Sequence, residues 1–362
     1  MSLKVAIVGC GKIADGHVEE IQKLSEKARL TAVCDLEILI AEQLAVRYGI
    51  PTHYDDFAKL LSAEKPDVVH IATPPQAHLA LTRMAVEAGC HVYVEKPLTL
   101  NHADSTALIR CVEEAGKKLT IGYSYLFDPP AIALRDIMAD GRIGEVVHAE
   151  CFFGYNLSGP FGAAILADGS HWVHKLPGKL FHNNIDHILY RLAEFIPDED
   201  PAIKATAVVR RDKRFGDSRD DLQDELRFIV HGETVSGYGT FSSHARPAGN
   251  ILRVYGTKNT AHVDYTSRTV ILDPQSSLPG AFGRIAPAFA LSKQYKKQAW
   301  SNVRRFMKHD FHYFSGMRTL ISRFYDCISN NSEPPIVYKD ILRISAMMDE
   351  IFRQIAPAEH RA

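Results

Sequence analysis

Two segments of this chain combine residue types at spacings that can do chemistry. The first is Gly9-Cys10-Gly11-Lys12-Ile13-Ala14, set between an apolar run and a helix-period segment. Glycine at position 9 permits a tight turn, glycine at 11 lets backbone approach a diphosphate, and Ala14 is small enough for close helix–strand packing. The helix that follows offers unbonded N–H groups and the positive end of its dipole to an anion. Asp35 stands about 20 residues further on, where a carboxylate accepts hydrogen bonds from ribose hydroxyls. It would repel a 2′-phosphate and no arginine immediately follows it, so NAD is expected in preference to NADP.

The second segment is Glu95-Lys96-Pro97, with Thr73-Pro74 and His78 as companions. Both stretches close apolar runs that read as parallel strands, and ligands of open α/β sheets bind at that carboxyl edge. An ammonium there, next to a proline that restricts its backbone, can hydrogen-bond a substrate hydroxyl and tune its acidity.

The elements that must position these residues follow from periodicity. Lys4–Val8, Leu30–Asp35, Val68–Ala72, His91–Glu95 and Lys118–Gly122 read as buried strands. Ile13–Leu24, Leu36–Tyr48, Gln76–Ala88 and Asn101–Ala115 read as the helices between them, with Gly49, Gly89 and Gly116 as C-terminal stops. This alternation predicts an α/β Rossmann domain with a parallel sheet over residues 1–123. Beyond it, Glu145–Phe153, Ile203–Arg211, Leu226–His231, Val235–Ser242, Ile251–Tyr255 and Ala261–Tyr265 read as strands joined by short turns. Residues 124–362 are therefore expected to form an α+β domain on a large, mostly antiparallel sheet. A helix within His171–Phe195, a helical excursion over Pro279–Arg323 and a last helix over Tyr338–Ile355 complete it. That last helix is expected to pack back on the Rossmann domain.

The chain resembles the Gfo/Idh/MocA oxidoreductases, which include glucose–fructose oxidoreductase and inositol dehydrogenase. The resemblance rests on Gly9–Ala14, Asp35, Thr73-Pro74 to His78, Ala88-Gly89 leading to Glu95-Lys96-Pro97, and Ile121-Gly122-Tyr123. It continues through Val254-Tyr255-Gly256-Thr257 and Pro334-Pro335-Ile336. It implies an NAD(P)-dependent dehydrogenase or reductase acting on a sugar, cyclitol or related polyol. It implies cofactor contacts at Gly9, Gly11, Lys12, Ile13, Asp35, Thr73, Pro74, His78, Glu95 and Lys96. It further implies an open-faced second sheet through which a homodimer or homotetramer forms.

Members of such a family place an acid and a histidine four residues apart on one helix beside the nicotinamide. Residues at that spacing share a helical face. Here Asn183 fits the acid position and His187 the histidine position, with Ile185, Ile188 and Leu192 as a buried face behind them. His182 and Asp186 offer a second register with the residue types reversed. Asparagine orients a hydroxyl but takes no proton, so proton transfer falls to Lys96 or His187. Tyr123, His171, Trp172 and His174 are further substrate-side candidates. A zinc site among His171, His174, His182 and His187 is the weaker reading, because hydride transfer of this kind needs no Lewis acid.

Composition narrows the classes. The chain has 362 residues, 46% hydrophobic and 23% charged, with a formal net charge of −1, which favours neither nucleic acid nor membrane in bulk. Six scattered cysteines with no C-x-x-C pair suit reduced thiols. No leader or membrane-spanning run is read, so a cytoplasmic location is expected. One segment departs from the average: from Pro274 to His309 there are lysines and arginines but no acid, with aromatic residues interleaved. It reads either as a solvated basic face packed on the sheet or as a helix that meets an anionic surface. Two other functions fit the same fold, an NAD-dependent glycosidase using transient oxidation and a non-catalytic cofactor- or sugar-sensing protein.

Overall fold

Six parallel strands form the first sheet of the computed structural model: β1 (Leu3–Val8), β2 (Ala28–Cys34), β3 (Thr52–Tyr54), β4 (Val68–Ile71), β5 (His91–Val94) and β6 (Leu119–Ile121), in the order β3-β2-β1-β4-β5-β6. The structure describes residues 2–210, 222–276, 278–309, 311–312 and 314–356. Helices α1 (Lys12–Gln22), α2 (Ile38–Tyr48), α3 (Phe57–Glu64), α4 (His78–Glu87) and α5 (His102–Glu114) connect the strands. The central strands are apolar on both faces because helices cover both, and Val5–Ile7 and Val68–Ile71 are fully buried. Strand β3 and helix α3 are additions to the sequence reading. The strand is only Thr-His-Tyr, with no apolar alternation, and α3 is short; it is fixed by Asp56, whose side chain accepts from Ala58 N and Lys59 N. The helix expected over Gln76–Ala88 begins with a separate 3₁₀ turn at Pro75–Ala77.

The second sheet holds β7 (Val146–Gly154), β8 (Ala202–Val208), β9 (Glu225–His231), β10 (Ser236–Ser242), β11 (Asn250–Gly256), β12 (Thr260–Asp264) and β13 (Thr269–Leu272). Their order is β13-β12-β11-β7-β10-β9-β8, antiparallel throughout except for β7 against β10. Strand β13 is a further addition to the reading, and Arg211 lies outside the described residues. Alternation along β7 buries Ala149, Cys151 and Phe153 on the face that carries helices. The helices here are α6 (Pro129–Ala139), α7 (Pro160–Ala167), α8 (Lys179–His182), α9 (Asp186–Ala193) and α10 (Gly280–Met307); α11 (Ser315–Ser329) and α12 (Tyr338–Ile355) follow. Helix α9 lies on β7 and β10, while α10 packs on β13.

Two units result, Met1–Ser124 with Gly316–Ala346, and Tyr125–Ser315 with Met347–Ala362. In the second unit both terminal strands are covered by glutamine side chains. Gln354 accepts from Ala205 N and donates to Ile203 O on β8, and Gln294 accepts from Leu272 N and donates to Leu272 O on β13. Each amide stands in for a neighbouring strand and satisfies an edge that is otherwise open to pairing. No helix among the described residues is long and apolar enough to cross a membrane.

Candidate active site

Because β1, β2, β4 and β5 are parallel, their carboxyl ends share one edge of the first sheet, and that edge gathers Gly9, Asp35, Thr73 and Glu95. Gly9 has φ +91°, and a Cβ there would lie 2.7 Å from the carbonyl carbon and oxygen of Ala72. Only glycine fits. Gly11 is different: a Cβ at that position meets nothing within 4 Å, and Gly11 caps α1 with no side chain bonded to its first-turn N–H groups. This is the open, donor-lined approach that a diphosphate needs. Ala14 is fully buried beneath it, as close helix–strand packing requires. Cys10 brings no charge to the turn, since burial first and Asp35 second push its thiol up to about 12.

Asp35 Oδ2 accepts from Cys10 N at 2.8 Å and Oδ1 from Glu37 N at 3.1 Å. The carboxylate therefore pins the glycine turn while keeping lone pairs for ribose hydroxyls. Thr73 Oγ1 is buried at the same edge with no hydrogen-bond partner, and Lys12, Ile13 and Pro74 stand at the surface around it. An orphaned hydroxyl, an uncapped helix start and an open Gly11 all fit a bound dinucleotide. His78 does not belong with them. It is fully buried, Nδ1 lies 2.9 Å from Leu98 O and Nε2 2.8 Å from Thr73 O. Its role is corrected from cofactor contact to internal brace between the two loops that bear Thr73 and Lys96. Tyr123 is likewise buried, which removes it from the solvent-reachable substrate contacts.

The turn bearing Lys96 is anchored by a buried chain that the sequence reading missed. Glu95 Oε1 lies 3.0 Å from His17 Nε2, His17 Nδ1 lies 2.9 Å from His70 Nδ1, and His70 Nε2 lies 2.9 Å from Tyr325 Oη. Tyr93 stacks on His70 at 4.7 Å, and the bare Cα of Gly122 lets the Glu95 carboxylate sit where a Cβ would come within 2.9 Å of both oxygens. Burial alone would raise the Glu95 pKa, but the His17 bond and charge, with Lys96 next to it, bring it below 4.5. A carboxylate only accepts, so His17 Nε2 donates to it. His70 is held well below 6.5 by burial and by His17. A signal for this chain was present: His17 falls with Ala14, Val18 and Ile21 on the buried stripe of α1, and His70 interrupts an otherwise apolar strand.

In the second unit the expected single helix over Asn183 and His187 is corrected to two. Asn183 caps α8, His187 lies in the first turn of α9, and His187 N bonds to Asn184 O instead of continuing an i→i−4 ladder from Asn183. The cause is local: Asn184 Nδ2 donates to Leu180 O at 2.8 Å, a side-chain bond that competes with the helix. The backbone stays close enough to helical that 183 and 187 remain on one side, both half-buried, whereas His182 and Asp186 are 1% exposed. Ile185, Ile188 and Leu192 form the buried face behind them.

His187 is firmly oriented. Nδ1 lies 2.9 Å from Tyr190 Oη, and its ring meets Tyr125 edge-on and Phe153 at a tilt, each at 5.0 Å. Arg191, with no exposed surface, donates to the His187 carbonyl and to Asn250 Oδ1 while its cation lies 4.9 Å from the Tyr265 ring. Upstream, His171 caps the 3₁₀ turn Trp172–Lys175 by accepting from Val173 N and stacks on Trp172, and His174 Nε2 lies 2.7 Å from Ile165 O. Among the described residues no group of three His, Cys, Asp or Glu side chains is gathered as a metal site.

A sheet ordered 3-2-1-4-5-6 with a glycine turn at its first carboxyl end and an acid at its second defines a dinucleotide-binding protein of the oxidoreductase type. Residues 3–123 match the Gfo/Idh/MocA oxidoreductase family, NAD-binding Rossmann fold. An inositol 2-dehydrogenase of Rhizobium meliloti is 30% identical over 263 residues, 71% of this chain and 74% of the relative. A D-glucoside 3-dehydrogenase of Escherichia coli is 35% identical over 144 residues, so the chain matches 41% of that relative's length and 40% of its own. The WlbA dehydrogenase of Bordetella pertussis, solved with NADH and UDP-GlcNAcA, shares the fold with TM-score 0.78 at 16% identity, over 98% of this chain and 95% of that one. The chain belongs to the Gfo/Idh/MocA family of oxidoreductases, and its first unit is an NAD-binding Rossmann fold.

Proposed function

We propose that this chain is an NAD-dependent dehydrogenase that exchanges hydride with a hydroxyl-bearing carbon of a sugar, cyclitol or related polyol. The observation that carries the reading is the His17–Glu95 bond of 3.0 Å. It ties the helix that follows the glycine turn to the turn that bears Lys96, so one rigid assembly serves cofactor and proton. Bound NAD supplies the hydride acceptor or donor at its nicotinamide. Gly9, Gly11, Lys12, Ile13, Asp35, Thr73 and Pro74 hold the dinucleotide, with Glu95 setting the turn. Lys96 exchanges the hydroxyl proton. His187, its Nδ1 committed to Tyr190, assists through Nε2, while Asn183 orients the hydroxyl and His171, Trp172 and His174 line the substrate side. Relatives named as glucoside, inositol and apiose dehydrogenases support a polyol substrate. The open face of the second sheet, where Glu150 meets Tyr255, His148 and Arg253, is the surface through which copies of the chain associate.

The test is NAD⁺ reduction by purified protein across sugars, cyclitols and nucleotide sugars, read as NADH absorbance. A hit that Lys96→Met lowers at least ~1,000-fold, with NAD binding intact, supports the reading. Undiminished turnover in Lys96→Met removes that residue from the chemistry.

A further inference from the structure

The longest helix of the molecule has no buried residue. Helix α10 meets the sheet through amides at helical spacing: Gln294 brackets Leu272, Gln298 donates to Val270 O and Asn302 to Ser267 O. Those three fix which side of α10 faces β13. On the far side, Phe282, Ile285 and Phe289 and then, past the exposed Lys296 that interrupts them, Trp300, Val303 and Met307 recur along one stripe, with Phe289 73% and Trp300 67% exposed. A stripe of large apolar side chains over a 28-residue helix exceeds the scattered exposure ordinary surfaces tolerate.

Charge says what covers it. No acid occurs from Pro274 to His309, and Lys293, Lys297, Arg304 and Lys308 run along one flank of the stripe, in a chain whose formal net charge is −1. A second copy laid antiparallel on this face with two-fold symmetry would bring each cationic flank against its own duplicate, and in a parallel pairing too no acid on α10 answers it. An anionic bilayer surface answers both features at once: headgroups neutralise the flank and the acyl boundary takes the aromatic stripe. We propose that α10 is an interfacial helix that docks this protein on the surface of an anionic phospholipid membrane without crossing it. The amide contacts to β13 leave its far face turned outward, so docking requires no unfolding of the sheet.

The experiment is co-sedimentation of the full chain with phosphatidylcholine vesicles, with and without phosphatidylglycerol, together with Trp emission. Binding is expected only with phosphatidylglycerol, weakened by high salt, with a blue shift that Trp300→Phe removes. Lys293→Gln with Lys297→Gln should lower partitioning about 30-fold, and Phe289→Ser with Trp300→Ser should abolish it, with NAD affinity and thermal unfolding unchanged in both. Equal binding to the neutral vesicles, or none to either, overturns the proposal. So does an oligomer that Phe289→Ser with Trp300→Ser dissociates while the parent protein ignores vesicles, since the face would then belong to a second copy.

Discussion

The residues proposed to serve the cofactor in the first unit and those proposed to serve the substrate in the second are held in opposite ways. At the edge of the first sheet, three of these residues also have a structural duty. Gly9 has no room for a Cβ, Asp35 pins the turn it serves, and Glu95 ends a buried chain through His17 and His70 to Tyr325. In the second unit Asn183 and His187 are half-buried side chains on either side of a helix break, and His187 is aimed mainly by Tyr190. That contrast sets where change is tolerated. Substitutions at Gly9, Asp35 or the Glu95–His17 pair should cost stability as well as function; those in the second unit should cost turnover alone, which leaves that side able to follow a new substrate.

The largest effect expected from this contrast is at His17. Replacing it with alanine strands the Glu95 carboxylate without its main partner in a buried setting, and should destabilise the protein by about 3–5 kcal/mol in chemical denaturation. A loss under about 1 kcal/mol would break the comparison, because Glu95 would then have another way to be satisfied. Next come the two glycines. Gly9→Ala meets the Ala72 carbonyl and a positive φ, for an expected cost of about 1–3 kcal/mol with NAD affinity lost. Gly11→Ala meets nothing in the protein and should unfold like the parent while binding NAD more weakly, as read by fluorescence titration.

Acid should weaken the first unit through its buried histidines. Burial holds His70 below 6.5, and burial first, then Lys117 and Lys118, bring His91 to about 4. Their unfolded forms take up protons first as pH falls, so their contribution to stability is complete above about 6.5 and is lost progressively below it. The Glu95 contribution is present above the ordinary carboxyl range and goes only as pH falls through its lowered value. Urea midpoints measured from pH 7.5 to 5 should therefore decline, and His70→Gln should flatten that decline. An equal slope in the variant would place the titrating groups elsewhere. In the second unit, Tyr190→Phe removes the bond that orients the His187 ring. About a 10-fold fall in kcat/KM with little change in unfolding midpoint is expected.

How much of this was legible in the sequence follows the same divide. The Rossmann strands, the glycine turn, Asp35 and the turn bearing Lys96 were readable because buried parallel strands are continuous apolar runs and glycine marks where backbone must approach a ligand closely. His78 was misplaced because a motif match says which loop a residue belongs to, not which way its ring points. The His17 chain was missed because its members are far apart in sequence and meet only when α1, β4, β5 and α11 pack in the first unit. The helix break between Asn183 and His187 depends on one amide turning back to Leu180, a choice that periodicity does not encode. The basic segment was legible in composition, but only the amides reaching β13 show which face of α10 is left outward.

The smallest expected effect is at Asn183, and it tests the comparison most finely. In the proposed role its amide orients a hydroxyl without exchanging a proton, so its aspartate replacement alters chemistry with almost no change in shape. If the second unit is the tolerant side, Asn183→Asp should fold as the parent does, because the position is half-buried and caps a helix of only four residues. Activity should change only a few-fold at neutral pH if, as proposed, Lys96 handles the proton. The telling measurement is the pH dependence of kcat/KM for the best substrate. A carboxylate at the reacting hydroxyl adds an ionisation in the acidic range, near 4 before any shift by its surroundings, so the variant should lose activity on the acid side where the parent does not. An unchanged profile would put residue 183 away from the reacting carbon. Because His182 and Asp186 are buried, that outcome would leave His187 as the second unit's contribution from this segment, without recruiting the alternative pair.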